Sequence, residues 1–395
     1  LVGSEMCIRD RFKKRGVGIS LKDGICSVDG KGLEGLKEPD QVLDFGNSGT
    51  SVRLCAGLLS AQRFSSVLIG DESLSTRPMQ RIVDPLTSMG ANISASDKGT
   101  LPITINSVKS LQSIEYSLPV ASAQVKSCLM LAGLFAEGET RIKENVITRD
   151  HTEKIFLEFG IPIEIFSEKT FKTICVNKIQ RIEPKDIRVP GDFSSASFFI
   201  LAALICPNSF LRLNNVGIND TRIGFLHALR NMGANIDLIN QRDTPEPTAD
   251  ILVKTSVLKG ITLDTALVAN MIDEMPAFFM AAALAEGMTI VKDAKELRTK
   301  ESDRLQAMAD SLNAFGISYQ LSDDGIVIHG IGSKGILNSA EIDSYGDHRI
   351  AMASAIGSLR SDDEVRISDC KNVNTSFPNF INICKSVGIE INEYE

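Results

Sequence analysis

The hydrophobic positions along the chain predict two kinds of helix in alternation. The first kind is amphipathic, because apolar residues recur at helical spacing, as in Ile82, Leu86 and Met89. The second kind is apolar on almost every side, which is typical of a helix buried in a core. Segments of this second kind begin at residues 47, 122, 194, 273 and 347. Short apolar segments between the helices predict strands, among them 66–69, 103–105, 289–291 and 326–328.

The amphipathic helices belong to a segment that recurs along the chain. Each copy ends in an apolar residue, a glycine and a short strand-like stretch, and five copies can be read in full. Their glycines are Gly90, Gly160, Gly233, Gly316 and Gly388. A sixth ending places Gly16 one period before Gly90, without the body of the repeat ahead of it. Such a period indicates one supersecondary unit that is used repeatedly.

The order of these patterns predicts a unit of strand–helix–strand–helix–strand–strand, with three units in each of two domains. We therefore predict an α/β protein with buried helices inside and sheets outside. At 395 residues the chain is too long for one compact core. The charged, proline-containing segment 182–192 marks a boundary, which gives a first domain over 12–188 and a second over 189–395. Residues 1–11 fit no element and read as foreign sequence, so the first domain is expected to lack the beginning of its first unit.

Composition limits the classes of function. A hydrophobic content of 43% without an apolar run near 18 residues predicts a soluble globular protein and argues against a membrane partner. A net charge of −8 argues against a nucleic-acid partner. The eight cysteines form no CxxC pair, which favours reduced thiols in a cytosol, and the four histidines lack metal-ligand spacing. Walker A and GxSxG motifs are absent, which argues against nucleotide-dependent kinases and serine hydrolases.

Two of the buried helices begin with small or polar residues that suit an anion. These residues are Asn47, Gly49, Ser122, Ala123 and Gln124. The start of a helix has unpaired N–H groups and a partial positive charge, so it binds phosphate or carboxylate. Ordinary helix capping by the Asn and Ser side chains is the alternative interpretation.

Arginines stand at equivalent places in the recurring loops. They are Arg77, Arg149, Arg222 and Arg304, and Arg349 adds one at the start of the last buried helix. Arginine binds carboxylate and phosphate through two parallel hydrogen bonds. Convergence of these loops would surround a strongly anionic ligand; otherwise the arginines are solvated surface charges.

Acidic residues provide candidates for proton transfer. Asp273 and Glu274 open an otherwise apolar helix, where either could act as a base. Lys300, Glu301 and Arg304 fall within one predicted helical turn, and Glu301 beside two cations could donate and recover a proton. The alternative is a salt-bridged first turn of a surface helix.

Eight motifs in this order resemble the enolpyruvyl transferases, and within them the 3-phosphoshikimate 1-carboxyvinyltransferases, or EPSP synthases. Each motif alone is weak, but together they are specific and cover the chain from about residue 13 to its end. The TRDHTEK and TKESDR forms are similar to the class II branch. The motifs are GNSGTSVRL at 46, RPM at 77, SAQVKS at 122, TRDHTEK at 148, DFSSASFF at 192, TKESDRL at 299, GDHRIAM at 346 and TSFPNF at 375.

The resemblance implies two inverse α/β barrels, each of three βαβαββ units, which close on substrate at their interface. It implies transfer of the enolpyruvyl group of phosphoenolpyruvate (PEP) to the 5-hydroxyl of shikimate 3-phosphate. The reaction passes through a tetrahedral ketal-type intermediate and releases phosphate. Neither a metal nor an organic cofactor is implied, and a cytosolic monomer is expected.

The resemblance also implies roles for individual residues. Asp273 would be the base for the 5-hydroxyl, and Glu301 would handle the methylene proton. The residues implied for shikimate 3-phosphate are Ser122, Ala123, Gln124, Arg149, Asp273 and Lys300. The residues implied for PEP are Asn47, Gly49, Arg77, Gln124, Arg304 and Arg349. Three of these arginines would neutralise a trianionic substrate.

The chain departs from the family at three places. An amino-terminal segment with a lysine, a serine and an arginine for the substrates has no counterpart, and Asn374 stands where many members have lysine. Gly49 stands where glyphosate-tolerant class II enzymes can carry alanine, so we expect sensitivity to glyphosate. Three alternatives stay open: a UDP-N-acetylglucosamine enolpyruvyl transferase, a protein that binds anions without turnover, and a purely structural scaffold.

Overall fold

The computed structural model describes residues 16–168, 171–243 and 246–394. The described residues form two compact units, one that ends at Ile187 and one that begins at Arg188. The division falls inside the charged segment 182–192. Within the described ranges, no helix has the length and apolar character needed to cross a membrane.

The first unit contains twelve strands and five helices in its described residues. The strands are β1 (Gly18–Lys22), β2 (Ile25–Asp29), β3 (Leu43–Asp44), β4 (Ser66–Ile69), β5 (Asn92–Ser94), β6 (Ile103–Asn106), β7 (Leu111–Gln112), β8 (Glu115–Ser117), β9 (Ala136–Glu137), β10 (Glu139–Glu144), β11 (Ile163–Ser167) and β12 (Lys172–Asn177). The helices are α1 (Gly49–Leu59), α2 (Glu72–Ser75), α3 (Gln80–Ser88), α4 (Ala123–Gly133) and α5 (His151–Glu158).

Two sheets of the first unit have the same topology. Their strand orders are β3-β4-β6-β5 and β8-β10-β12-β11, and in each the first pair is parallel and the others are antiparallel. Helices α1 and α4 connect the parallel strands. This is the predicted βαβαββ unit, and it is complete twice. The hairpin of β1 and β2 corresponds to the last two strands of such a unit.

The second unit contains eight strands and eight helices in its described residues. The strands are β13 (Phe210–Gly217), β14 (Asn235–Arg242), β15 (Thr248–Lys254), β16 (Glu286–Val291), β17 (Tyr319–Leu321), β18 (Ile326–Ile331), β19 (Glu341–Asp343) and β20 (Arg366–Ser368). The α-helices are α6 (Phe193–Ile205), α7 (Gly224–Asn231), α8 (Thr265–Asn270), α9 (Met275–Ala283), α10 (Arg304–Ala314), α11 (His348–Gly357), α12 (Lys371–Ser376) and α13 (Phe380–Ser386), with 3₁₀ helices at Lys295–Thr299 and Ser358–Arg360.

The second unit repeats the topology in reduced form. Sheets β13-β15-β14 and β16-β18-β17 keep the antiparallel part. The predicted first strand of each is reduced to isolated parallel bridges, such as Gly191 with Val216 and Thr262 with Ile290. In the third copy β19 and β20 pair in parallel, and no strand follows Gly388 within the residues described up to 394.

The recurring glycines end the amphipathic helices, or in one case precede a strand. All six have positive φ, from +68° at Gly160 to +92° at Gly233. This left-handed conformation is the common end of an α-helix, and glycine adopts it without a Cβ penalty. The period read from the sequence therefore marks a backbone requirement.

The five apolar helices form the cores, as predicted. In the first unit, α1 and α4 pack closely because Gly57 lets the backbone of Cys128 approach: a Cβ atom on Gly57 would lie 2.1 Å from Cys128 O. In the second unit, α6, α9 and α11 are buried along nearly their whole length. The first turns of three of these helices carry the candidate residues Gly49, Ala123, Gln124 and Arg349.

Candidate active site

Asn47, Gly49 and Arg77 lie together at the amino terminus of α1. Arg77 Nη2 donates to Asn47 Oδ1 over 2.9 Å, and Asn47 Nδ2 donates in turn to Asp71 Oδ2 over 2.9 Å. A Cβ atom on Gly49 would lie 3.0 Å from Arg53 Nη1 and 3.4 Å from Arg77 Nη1. Glycine at this position therefore leaves room between two guanidinium groups.

Arg53 is a buried arginine at this site that sequence analysis did not single out. Its Nη1 donates to Gln124 Oε1 and, over 3.3 Å, to Gly49 O, while its Nη2 donates to Pro78 O over 3.1 Å. Gln124 Nε2 donates to Thr50 Oγ1 over 2.8 Å, so one amide joins the starts of α1 and α4. The sequence did contain a signal that could have identified Arg53, because it is a single arginine inside an apolar helix. A guanidinium that is buried in this way needs hydrogen-bond partners, which hold it in one position.

The electrostatics of Arg53 favour an anion. Burial is the main cause that lowers the pKa of Arg53 to about 10, and the cations Arg81 and Arg77 act in the same direction. Two carbonyl oxygens and one amide oxygen accept its hydrogen bonds, and no carboxylate is among these acceptors in the described residues. A negatively charged ligand here would compensate several cations at once.

Ser122, Ala123 and Arg149 lie on two elements of the first unit that are in contact. Ser122 Oγ accepts a hydrogen bond from the first turn of α4 over 3.4 Å, so the capping interpretation holds for this hydroxyl. Arg149 is half-buried in the loop before α5. The first turn of α5, directly after that loop, is tied to α4 by the hydroxyls of Thr152 and Ser127, which are 2.6 Å apart.

In the second unit one buried guanidinium contacts three carboxylates. Arg304 is 1% exposed. Its Nε lies 2.7 Å from Asp347 Oδ2, its Nη2 lies 2.6 Å from Glu301 Oε2, and its Nη1 lies 3.5 Å from Asp273 Oδ1. The structure thus brings the predicted residues Asp273, Glu301 and Arg304 together. Asp347, within the GDHRIAM motif, was not predicted, because nothing in the local pattern shows which arginine it contacts.

The carboxylates hold Arg304 in its charged form. Burial by itself would lower the pKa of Arg304, but Asp347, Glu301 and Asp273 outweigh burial and raise its pKa above the usual value. Burial would likewise raise the pKa of Asp347, yet the adjacent Arg304 guanidinium holds it below its usual range. Arg304 and Asp347 are therefore both ionised at neutral pH.

Arg349 and His348 begin α11 beside the same group of charges. Arg349 Nη1 donates to Asp273 O over 3.0 Å, and its Nη2 lies 3.8 Å from Asp273 Oδ2. Burial, followed by the charge of Arg349, lowers the pKa of His348 to about 4. The imidazole is therefore neutral at neutral pH, and the positive charge of this region comes from the arginines.

The run from 298 to 304 is not the single helical turn that the sequence predicted. A 3₁₀ helix ends at Thr299, Lys300 is extended with φ −88° and ψ −151°, and α10 begins only at Arg304. The side chain of Asp303 caps α10 and so sets its start. Lys300 Nζ pairs with Glu296 Oε1 at 2.5 Å. Two cations, Lys300 and Arg304, were predicted to lie beside Glu301. Arg304 contacts Glu301, whereas Lys300 pairs with Glu296.

Asp273 and Glu274 precede the buried helix α9, which begins at Met275. Glu274 is fully buried and accepts a hydrogen bond from Ser194 Oγ, with Arg222 Nη2 3.9 Å away. Arg222 Nη2 also lies 3.4 Å from Asp192 Oδ1. Two carboxylates of the second unit therefore face Arg222, and Glu274 belongs to their cluster, whereas Asp273 belongs to that of Arg304.

The repeated βαβαββ topology, with arginines near the starts of the buried helices, defines an enolpyruvyl transferase fold. A solved structure of the enolpyruvyl transferase NikO from Streptomyces tendae matches with a TM-score of 0.78 and covers 99% of this chain and 88% of that one. Its sequence identity of 14% makes this a likeness of fold alone.

The chain belongs to the EPSP synthase (3-phosphoshikimate 1-carboxyvinyltransferase) family, whose profile matches residues 12–384. The 3-phosphoshikimate 1-carboxyvinyltransferase of Hydrogenovibrio crunogenus is 47% identical over 97% of this chain and 86% of that protein. The protein of the same name from Methylococcus capsulatus is 45% identical over 98% of this chain and 88% of its own length. An EPSP synthase structure from Acinetobacter baumannii has a TM-score of 0.90 at 44% identity and covers 100% and 90% of the two chains.

These matches confirm the predicted family and fold. They do not support the prediction of a lost amino-terminal unit. Residues 1–11, which were predicted to be foreign, lie outside the described residues.

Proposed function

We propose that the chain transfers the enolpyruvyl group of PEP to the 5-hydroxyl of shikimate 3-phosphate, with Asp273 and Glu301 as its proton-transfer groups. Family membership supports the reaction. One observation supports the roles: the buried Arg304 guanidinium contacts both carboxylates. A base for the acceptor and an acid for the methylene carbon must act around one bound PEP molecule. Arg304 is a cation placed between them.

The proposed chemistry has two steps. In the addition, Asp273 removes the proton of the 5-hydroxyl, the oxygen bonds to C2 of PEP, and Glu301 gives a proton to the methylene carbon C3. The product is a ketal that still carries phosphate. In the elimination, Glu301 takes a proton back from C3 while the bond between C2 and the phosphate oxygen breaks, and the proton that Asp273 removed from the 5-hydroxyl leaves with the phosphate. The enolpyruvyl ether and inorganic phosphate are released.

By the resemblance, we assign Asn47, Gly49, Arg77, Gln124, Arg304 and Arg349 to PEP, and each unit contributes a cluster that suits an anion. In the first unit Gly49 leaves the space beside Arg77, and Asn47 and Gln124 are hydrogen-bonded to the arginines around it. In the second unit Arg304 and Arg349 converge on Asp273. Arg304 Nη1 lies 3.5 Å from Asp273 Oδ1, and we assign to this nitrogen a hydrogen bond to a phosphate or carboxylate oxygen of PEP. Three arginines would neutralise the three charges of PEP.

We assign shikimate 3-phosphate to the start of α4 and to Arg149, with Lys300 and Asp273 from the second unit. The backbone N–H groups at Ser122, Ala123 and Gln124 begin a buried helix, which favours a phosphate. The 5-hydroxyl of this substrate is the group whose proton we assign to Asp273. Lys300 is half-buried and is assigned to the region of the ring.

Phosphate release in the presence of PEP and shikimate 3-phosphate tests the reaction, and two variants test the roles. Asp273→Asn and Glu301→Gln keep the side-chain shape but remove the proton transfer, so kcat should fall by about 10²–10⁴-fold. Glu286→Gln, at an exposed glutamate of β16, is the matched control and should keep the parent kcat.

Three outcomes would contradict parts of the proposal. Phosphate release with UDP-N-acetylglucosamine as acceptor, but not with shikimate 3-phosphate, would overturn the substrate. An unchanged kcat in either carboxylate variant would overturn its role. Binding of both substrates by calorimetry without turnover would favour the binding-only alternative.

The proposal includes a cytosolic monomer with no nucleic-acid or membrane partner. Light scattering tests the oligomeric state, and a mass near twice the 42.9 kDa of the chain would contradict it.

A further inference from the structure

A cluster of four ionisable side chains is buried in the first unit beside the Arg149 loop. Lys126 Nζ lies 3.2 Å from both carboxylate oxygens of Glu144 and 2.7 Å from Glu153 Oε1. Lys172 Nζ lies 3.6 Å from the same oxygen of Glu153. The side chains of Lys126, Glu144 and Glu153 are at most 1% exposed. Two cations and two carboxylates balance each other, so the cluster can be buried in its ionised form.

The cluster connects four elements of the first unit. Lys126 lies on α4, Glu144 ends β10, Glu153 lies on α5 and Lys172 begins β12. Lys126 is one helical turn after Ser122, and its backbone N–H donates to Ser122 O over 3.1 Å. The same residue therefore belongs to the first turn of α4 and reaches the segments on either side of the Arg149 loop.

Hydrogen bonds fix that loop on both sides of Arg149. Glu144 Oε2 accepts from Thr148 N over 3.2 Å and from Thr148 Oγ1 over 2.7 Å. On the other side, the hydroxyls of Ser127 and Thr152 are 2.6 Å apart. The residues that flank Arg149 are thus held by Glu144 and by α4, and Lys126 holds Glu144.

Stability alone does not account for such a cluster. Removing charges from water costs free energy that their mutual attraction only partly returns, so an apolar replacement of equal volume is often as stable or more stable. A buried ionic cluster does fix one arrangement, because each charge must meet its partner. In the first unit, the cluster fixes the position of the Arg149 loop relative to the start of α4.

We propose that Lys126 is a positioning residue for shikimate 3-phosphate, which holds the Arg149 loop against the start of α4 through Glu144 and Glu153. This inference rests on the proposed function, because it assigns shikimate 3-phosphate to residues 122–124 and to Arg149. The Lys126 side chain is fully buried, so its proposed role is to hold the residues that bind the substrate. Its loss should therefore weaken shikimate 3-phosphate binding and leave PEP binding unchanged.

Thr148→Val provides the sharper test because it leaves all four charges in place. It removes the hydroxyl hydrogen bond to Glu144 and should raise the Kd of shikimate 3-phosphate, measured by calorimetry, about tenfold or more. The Kd of PEP and the thermal unfolding midpoint should not change. Thr100→Val is the matched control, since it also removes a hydroxyl hydrogen bond, the 3.0 Å contact with Ser96, outside the cluster.

The fourfold variant K126M, E144Q, E153Q and K172M removes the charges and keeps the volume. We expect a thermal unfolding midpoint at or above that of the parent chain. We also expect weaker binding of shikimate 3-phosphate, because the Arg149 loop would no longer be held in one conformation. If this variant fails to fold, Thr148→Val alone decides. An unchanged Kd for shikimate 3-phosphate in Thr148→Val, or equal weakening of both substrates, overturns the inference. If the parent chain binds no shikimate 3-phosphate, the proposed function itself fails.

Discussion

Arg304 and Asp347 form a buried ion pair in which the guanidinium Nε lies 2.7 Å from Oδ2 of the carboxylate. The Asp347 side chain also accepts a hydrogen bond from the backbone N–H of Arg349 over 2.9 Å and so caps α11. One carboxylate therefore fixes both arginines of the second unit that we assign to PEP.

Replacement of Asp347 by alanine should destabilise the second unit strongly. It leaves the buried Arg304 without its fully buried carboxylate partner and removes a helix cap, so we expect a loss of about 3–5 kcal/mol in the free energy of unfolding, measured with urea. Asp264→Ala is the matched control, because Asp264 caps α8 through Ala266 N at 2.9 Å without a buried arginine. It should cost about 1 kcal/mol. Equal losses in the two variants would show that the ion pair contributes nothing beyond a cap.

The repeating architecture could be predicted from the sequence because it depends on local requirements. A glycine such as Gly90 marks the left-handed end of a helix, and an apolar stretch marks burial; both signals lie within a few neighbouring residues. The strand Ser66–Ile69 has the bounds that were predicted. The predicted first strands of the first two copies in the second unit are reduced to bridges such as Gly191 with Val216.

The contacts of the site were predictable only in part. The arginines Arg77 and Arg304 were identified by their equivalent places in the repeat. Their partners could not be identified, since Asp347 meets Arg304 from 43 residues away and Arg53 meets Gln124 from 71 residues away. No local pattern records such pairs. The start of α10 was also predicted wrongly. The spacing of residues 298–304 suggested one helical turn, but the side chain of Asp303 caps α10, so the helix begins only at Arg304.

Arg53 should contribute to PEP binding although it was not predicted. Arg53→Met removes a buried cation beside Arg77 and the hydrogen bond to Gln124, so we expect the KM for PEP to rise about 10–100-fold. Arg63→Met is the matched control, since the Arg63 side chain is 80% exposed and 3.8 Å from an exposed Glu34. Steady-state phosphate release measures both variants. A KM for PEP equal to that of the control would mean that Arg53 only joins α1 to α4.

Gly49→Ala should weaken inhibition by glyphosate. The added methyl group would lie 3.0 Å from Arg53 Nη1, so the Arg53 guanidinium has to shift, and it would lie in van der Waals contact with Arg77 Nη1 at 3.4 Å. We expect the inhibition constant of glyphosate to rise roughly tenfold, with a higher KM for PEP. Gly30→Ala is the control, because nothing lies within 4 Å of a Cβ at Gly30. An inhibition constant that does not change would contradict this steric explanation.

His348 should make stability depend on pH in the mildly acidic range. Its pKa is lowered from 6.5 to about 4 in the folded chain, so the unfolded chain binds more protons between these values. The corresponding stability is present above pH 6.5 and is lost as the pH falls towards 4, on the order of 3 kcal/mol in total. The carboxylates Asp347 and Asp192, whose pKa values are also held low, lose their contributions at still lower pH.

Urea unfolding at pH 7, 6, 5 and 4 measures this dependence. His348→Gln removes the titrating group, so its free energy of unfolding should change less across the range than that of the parent. His329→Gln, at a half-buried histidine on β18, is the matched control and should follow the parent. If His348→Gln loses stability as steeply as the parent between pH 6.5 and 4, the proton is taken up elsewhere. The neutral imidazole beside Arg349 would then have no part in the acid sensitivity of the second unit.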